Sequence, residues 1–207
     1  MASSDKIYFN SKRGGKWRAL SNFYGRVEIE YMAARCGPTL REFVLGLATC
    51  DRAEFLFLLQ LLQPDKKFTP RKLEYWFDPD DDKKPIRGIL AKLVGNMLKK
   101  PDTASSKRRA KALAEHLKTT PAKLLKGGAP VNDVNDHRNM MNCLRKKYNE
   151  PVYRDLLLST GDWALHELPL RGKPGKWTCN KDGEGGDMLG KMLGLVRDEL
   201  RARARLG

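Results

Sequence analysis

Three polar constellations in this sequence carry side chains suited to chemistry. Glu74 stands between Leu73 and Tyr75-Trp76-Phe77. A carboxylate inside an apolar, aromatic run is partly desolvated, which raises its pKa and fits it for proton transfer. On an edge strand or an open helix face the same residue would keep its head in water. The second constellation is Leu20-Ser21-Asn22-Phe23, which offers a hydroxyl and an amide to a pocket, or else forms an Asx turn. The third runs from Thr160-Gly161-Asp162 through Trp163-Ala164-Leu165-His166-Glu167, with Trp177 and Gly185-Gly186-Asp187-Met188-Leu189-Gly190 beyond it. Read as a strand after a turn, it places Asp162, Ala164 and His166 on one face and Trp163, Leu165 and Glu167 on the other. Glu167 then sits on an otherwise apolar face and requires a partner or a ligand. Gly185-Gly186 ahead of a helix start can bring backbone N–H groups to a phosphate. Asp187 is either part of that site or an N-cap.

Tryptophan and carboxylates suit one kind of reaction. The rings stack on a base or sugar, and the carboxylates stabilise a cationic transition state or activate water. Glycosidic cleavage, with its oxocarbenium-like transition state, has those requirements. Other catalytic patterns are absent: the sequence holds no GxSxG, HExxH, P-loop or GxGxxG. His116, His137 and His166 are isolated and read as surface or core residues rather than metal ligands. Cys36, Cys50, Cys143 and Cys179 form no CxxC pair, so neither a zinc site nor a disulfide framework is expected. No metal and no cofactor is called for.

The elements that must position these residues can be read from periodicity. Residues 6–10 and 26–31 (RVEIEY) look like strands. Residues 40–62 read as helix. Their segment 43–62 is apolar in bulk, but Asp51, Arg52 and Glu54 interrupt it, which argues for a buried helix broken at Cys50-Asp51 rather than a membrane span. Residues 71–77 read as strand or helix start, and Asp78–Asp82 as an acidic loop. Ile86, Ile89, Leu90, Leu93, Val94, Met97 and Leu98 make one helical stripe. Further helices are expected over 105–118, with Ser105 or Ser106 as N-cap, and over 121–126, ending at Gly127-Gly128. Others follow over 134–148, 151–158 and 187–204, with a strand over 163–168. The expected class is α+β, predominantly helical, in a single domain over 1–207.

The 207 residues include 40 Lys and Arg against 25 Asp and Glu, a formal charge of +15. Between 66 and 126 there are 17 basic and 7 acidic residues, so two thirds of the excess lies in that stretch. It is either a set of solvated helix faces or a surface that follows phosphates. At 41% hydrophobic the chain is not a disordered one. Met1–Lys6 lacks an apolar signal core. An intracellular protein, cytoplasmic or nuclear, with reduced thiols and no membrane partner is expected.

The same residues carry a family resemblance. The chain resembles the NADAR superfamily, whose fold is also called YbiA-like. Ile7-Tyr8-Phe9 matches its opening strand and Leu20-Ser21-Asn22-Phe23 its Leu-Ser-Asn-Phe loop. Glu74-Tyr75-Trp76-Phe77 matches a Glu-His-Tyr-Phe-like motif, with Tyr75 in place of His. Met140-Met141 and Lys147-Tyr148 match a helix that ends in Lys and an aromatic residue. Leu157-Leu158, Thr160-Gly161-Asp162, Leu165 and Glu167 match the Leu-Leu-x-Thr-Gly-Asp-x-x-Leu-x-Glu signature. Trp177, Gly185, Asp187, Leu189-Gly190, Leu193 and Arg197 match its closing block, with Thr178 for Gly and Asp187 for Asn. An inserted or divergent helical segment, about 28–70, separates the first motifs.

The resemblance implies N-glycosidic chemistry on ADP-ribosyl or phosphoribosyl compounds. One such activity removes ADP-ribose from guanine in nucleic acid or nucleotides; the other splits early riboflavin-pathway intermediates. A member that has lost catalysis would instead bind ADP-ribose, NAD or nucleic acid. The resemblance implies Glu74, Asp162 and Glu167 as the catalytic carboxylates. Ser21, Asn22, Phe23, Trp177, Gly185, Gly186, Asp187 and Arg197 would line the substrate, with Gly185-Gly186 and Arg197 against the diphosphate. The concentrated basic stretch favours a nucleic-acid substrate, since a small phosphorylated metabolite needs only a few cations at one pocket.

Overall fold

The computed structural model describes residues 5–11, 15–69, 73, 76–78, 81–126, 133–170 and 172–206, with the side chains of 78, 81–84 and 133–135 outside that description. The protein is mixed α+β and mostly helical. It divides into two compact units, one over 1–24 and 140–207, the other over 25–139. The segment expected as an insertion, 28–70, falls within the second.

In the second unit, α1 (Val27–Ala33), α2 (Pro38–Gly46) and α3 (Arg52–Leu61) precede a hairpin of β2 (Phe77–Asp78) and β3 (Asp81–Pro85). Helices α4 (Gly88–Lys99), α5 (Ala104–His116) and α6 (Pro121–Leu125) follow. The expected strand at 26–31 is the helix α1. Six alternating residues suit either period; extending the window gives Ile29, Met32 and Ala33 at helical spacing, and these are the residues that enter the core. Gly95 of α4 lets α1 approach, because a Cβ there would meet the Met32 thioether. The expected acidic loop at 78–82 takes part in the β2–β3 pairing, Asp78 opposite Asp81. The apolar stripe of α4 is buried as its spacing requires, with Leu90, Val94 and Met97 fully covered.

The apolar stretch at 43–62 breaks where the charges fall. Asp51 caps α3 by accepting from the Glu54 N–H at 2.8 Å. Its neighbours Arg52 and Glu54 are exposed. No helix among the described residues is long and apolar enough to cross a membrane. Asp51→Ala should cost about 1 kcal/mol and Asp51→Asn only a few tenths, in thermal or denaturant unfolding, because Asn keeps the capping oxygen. The α5 cap is Thr103, whose hydroxyl accepts from the Ser106 N–H at 3.2 Å; Ser105 and Ser106 lie inside the helix.

The first unit holds β1 (Lys6–Phe9), a 3-10 turn over Gly15–Leu20, α8 (Pro151–Leu158), β4 (Ala164–Glu167) and α9 (Met188–Leu206). The last part of α7 (Asp133–Lys147) also belongs to it. Strands β1 and β4 pair in parallel, in the register Ile7 to Leu165 and Phe9 to Glu167. Phe9, Leu20, Leu144, Tyr148, Leu157, Leu165, Leu189 and Leu193 are buried in this unit. Within β4 the alternation is as expected, Leu165 and Glu167 buried and Ala164 and His166 partly exposed, but Trp163, expected on the Glu167 face, precedes the strand and is 44% exposed.

Candidate active site

The strand pairing sets Glu167 opposite Phe9, at the buried end of β4. The 3-10 turn ends at Leu20 and delivers Ser21, whose hydroxyl donates to Glu167 Oε1 at 2.8 Å across 146 residues of sequence. Ser21 is fully buried and Glu167 is 5% exposed. The sequence required a partner for this carboxylate, and Ser21 is one.

Lys147, the last residue of α7, holds the same loop through its backbone. Its ammonium donates to the carbonyls of Ala19 at 2.7 Å and Ser21 at 2.9 Å. It lies 4.7 Å from the Tyr153 ring centre and 5.3 Å from that of Tyr148. The Tyr148 hydroxyl donates to the Leu20 carbonyl at 3.1 Å. Burial pushes the Lys147 pKa down to about 7, against the opposing pull of the Glu167 and Glu150 carboxylates. Burial also raises the Tyr148 phenol well above its usual value, so it stays protonated and donating. The result is a fixed carboxylate with a hydroxyl donor and a nearby cation, in a low-dielectric setting where charge acts strongly.

The other expected site residues take different places. Glu74 lies outside the described residues, as does Tyr75. Asp162 stands in the turn before β4 with its side chain 94% exposed, paired with Arg201 at 2.7 Å. It is thus a solvent-facing ion pair, remote in environment from the buried Glu167. Arg197 Nη1 donates to the Thr160 hydroxyl at 2.8 Å and the Trp163 carbonyl at 2.9 Å, closing the turn into β4, while its buried Nε has no hydrogen-bond partner. Phe23 is buried, while Asn22 and Trp177 are half-buried. The Lys176 ammonium lies 5.3 Å from the Trp177 ring centre.

Gly185-Gly186 was expected to present N–H groups to a phosphate. Instead the chain from Gly186 to Leu189 docks on the preceding loop. Gly186 N–H bonds to the Gly175 carbonyl at 2.8 Å and Met188 N–H to that of Lys176 at 3.1 Å. Leu189 N–H reaches the Trp177 carbonyl at 3.3 Å. These glycines serve close packing: a Cβ on Gly186 would collide with the Lys176 carbonyl. Asp187 occupies the position before α9 with φ +47°, and its side chain turns to His166 Nδ1 at 2.7 Å.

Sequence reasoning passed over Lys147 as a site residue, because it follows Arg145-Lys146 in the last turn of a polar helix and resembles a solvated basic end. It also left His166 and Cys179 apart. No family model matches the chain, and no curated protein or solved structure matches it.

Proposed function

We propose that this protein is an N-glycosidase that releases ADP-ribose from guanine in nucleic acid, with the NADAR-type fold implied by the resemblance. The observation that supports the reading best is the bond between Ser21 and Glu167. It joins the Leu-Ser-Asn-Phe loop to the Thr-Gly-Asp-x-x-Leu-x-Glu signature, the two segments on which the resemblance chiefly rests. Lys147, from the matched Lys-Tyr helix end, holds the same loop. A buried, fixed carboxylate favours the positive charge that develops on a ribose as its glycosidic bond breaks. Glu74 keeps the catalytic role that the resemblance implies for it, stabilising the cationic ribose or handling the attacking water. The basic excess over 66–126 supports a polymeric substrate over a small metabolite.

The test is incubation with guanine-ADP-ribosylated DNA and with the free modified nucleotide, following released ADP-ribose. Release from DNA is expected, falling steeply with salt, while release from the nucleotide hardly changes. Glu167→Gln should lower kcat by on the order of 100-fold with substrate binding retained, and Glu74→Gln should remove most hydrolysis. Cleavage of a phosphoribosyl riboflavin precursor alone would move the protein to that substrate class. Binding without release, seen by calorimetry, would make it a reader.

A further inference from the structure

On the face of β4 opposite Glu167, three chemically distinct donors converge. His166 Nδ1 lies 2.7 Å from Asp187 Oδ2 and 3.6 Å from Cys179 Sγ, and the donor atoms of all three residues lie within 4.8 Å of one another. We infer that His166, Cys179 and Asp187 form a zinc site.

Two simpler readings of the cluster fail on geometry. In a nucleophilic relay the imidazole bridges its partners, one on each ring nitrogen. Here both the thiol and the carboxylate crowd Nδ1, so the ring cannot pass a proton between them. A helix cap is also excluded: Asp187 stands at the cap position of α9, yet Oδ2 goes to His166 and Oδ1 is buried with no hydrogen-bond partner. A carboxylate oxygen left in that state is costly, and a cation would satisfy it.

The three donors are carried by well-fixed backbone. Cys179 N–H bonds to the Glu167 carbonyl at 2.9 Å, and Cys179 bridges to Gly185. His166 is fixed by β4, and its ring stacks on Tyr8 at 5.1 Å between centres. Asp187 adopts its left-handed backbone conformation between the docked loop and α9. The His166 and Asp187 side chains are 22% and 12% exposed, which leaves an approach for an ion and for a fourth, solvent ligand.

The donor set selects the metal class. One nitrogen, one sulfur and one oxygen suit zinc, with Zn–N, Zn–O and Zn–S distances near 2.0–2.3 Å. Magnesium and calcium prefer all-oxygen shells. Nitrogen and oxygen ligands around a tetrahedral zinc stand about 3.3 Å apart, so the His166–Asp187 contact of 2.7 Å opens by roughly 0.6 Å on binding. Binding releases the Cys179 proton to solvent and sets His166 in the Nε2–H tautomer; thiolate and carboxylate then balance the two positive charges. The ion would tie the start of α9 and the 175–179 loop to β4.

The experiment is titration of the chelator-treated, dialysed full chain with Co2+ and then Zn2+. Expected are one equivalent bound, a thiolate-to-cobalt charge-transfer band in the near ultraviolet, and loss of that band when Zn2+ displaces cobalt. Cys179→Ser should abolish the band, and Asp187→Asn should weaken Zn2+ binding by on the order of 100-fold at unchanged secondary structure. Zinc should raise the melting temperature of the wild type but not of Asp187→Asn. Absence of the band, or its persistence in Cys179→Ser, would overturn the site. If Cys179→Ser does not fold, equal Zn2+ affinity of Asp187→Asn and wild type would overturn it.

Discussion

Lys147→Met is expected to lower the unfolding free energy by about 3 kcal/mol at neutral pH. The side chains are similar in length, so the loss is one of hydrogen bonding. The carbonyls of Ala19 and Ser21, held in the buried loop, lose their Nζ donor. The pH dependence separates this from a packing effect. Lys147 has a folded pKa of about 7, below the roughly 10.4 of an unfolded lysine. Below pH 7 both states carry the proton, and the cost of burying it is fully present. As pH rises past 7 the folded state releases the proton and the unfolded state retains it, so stability rises. Between pH 7 and 8.5 the gain attributable to Lys147 is about 1.5 kcal/mol. Denaturant unfolding at both values should therefore show the wild type gaining stability that Lys147→Met does not. The window stops at 8.5 because burial holds Cys36 up at about 11 and raises Cys50 as well, and those thiols pull stability the other way at higher pH. A variant within 1 kcal/mol of wild type, with the same pH slope, would show that the Leu20–Phe23 loop is held by something else.

Two glycines of α9, one turn apart, should respond to the same substitution with opposite signs. Glycine inside a helix costs about 1 kcal/mol relative to alanine, so propensity favours both changes. At Gly194 a Cβ meets open space, and Gly194→Ala should stabilise by roughly 0.5–1 kcal/mol. At Gly190 it would run into the Leu165 carbonyl and press on Asp187 Oδ1 at 2.8 Å. The obstacle at Leu165 is strand backbone, which cannot rotate away, so Gly190→Ala should destabilise by about 3 kcal/mol. Paired melting curves decide it. Stabilisation at Gly190 would mean that α9 does not lie this close to β4.

What was legible in the sequence followed from how many residues each signal spans. The stripe from Ile86 to Leu98 repeats over three turns and was recognisable as helix α4. The strand β4 was recognisable because its alternation ends in a carboxylate that had to be satisfied. The segment 26–31 was not, since six residues fit both periods and the deciding Met32 and Ala33 lie just beyond. Within the site, Ser21 and Glu167 stood out as polar residues in apolar company. The partnership between them could not be read, because it depends on a parallel pairing of strands at opposite ends of the chain. Gly185-Gly186 misled for a related reason: a glycine pair before a helix looks the same whether it meets a phosphate or the protein's own loop. His166, Cys179 and Asp187 follow no motif spacing, and only the fold of the 175–187 loop brings them together.

The pairing of β1 with β4 also has a meaning for how the molecule is made. Residues 6–9 leave the ribosome long before their partner 164–167. The helices over 27–125 pack within their own stretch of chain, α1 most extensively on α4, and such contacts close shorter loops than the β1–β4 pairing does. The Ser21–Glu167 bond instead closes a very long loop, the slowest kind of contact to establish. During synthesis the nascent chain therefore carries an unpaired β1 edge, exposed to mispairing, until the 157–167 signature arrives. Assembly of the candidate site is coupled to completion of the chain through residue 167, so a truncated product lacks the site even where its helical core has formed.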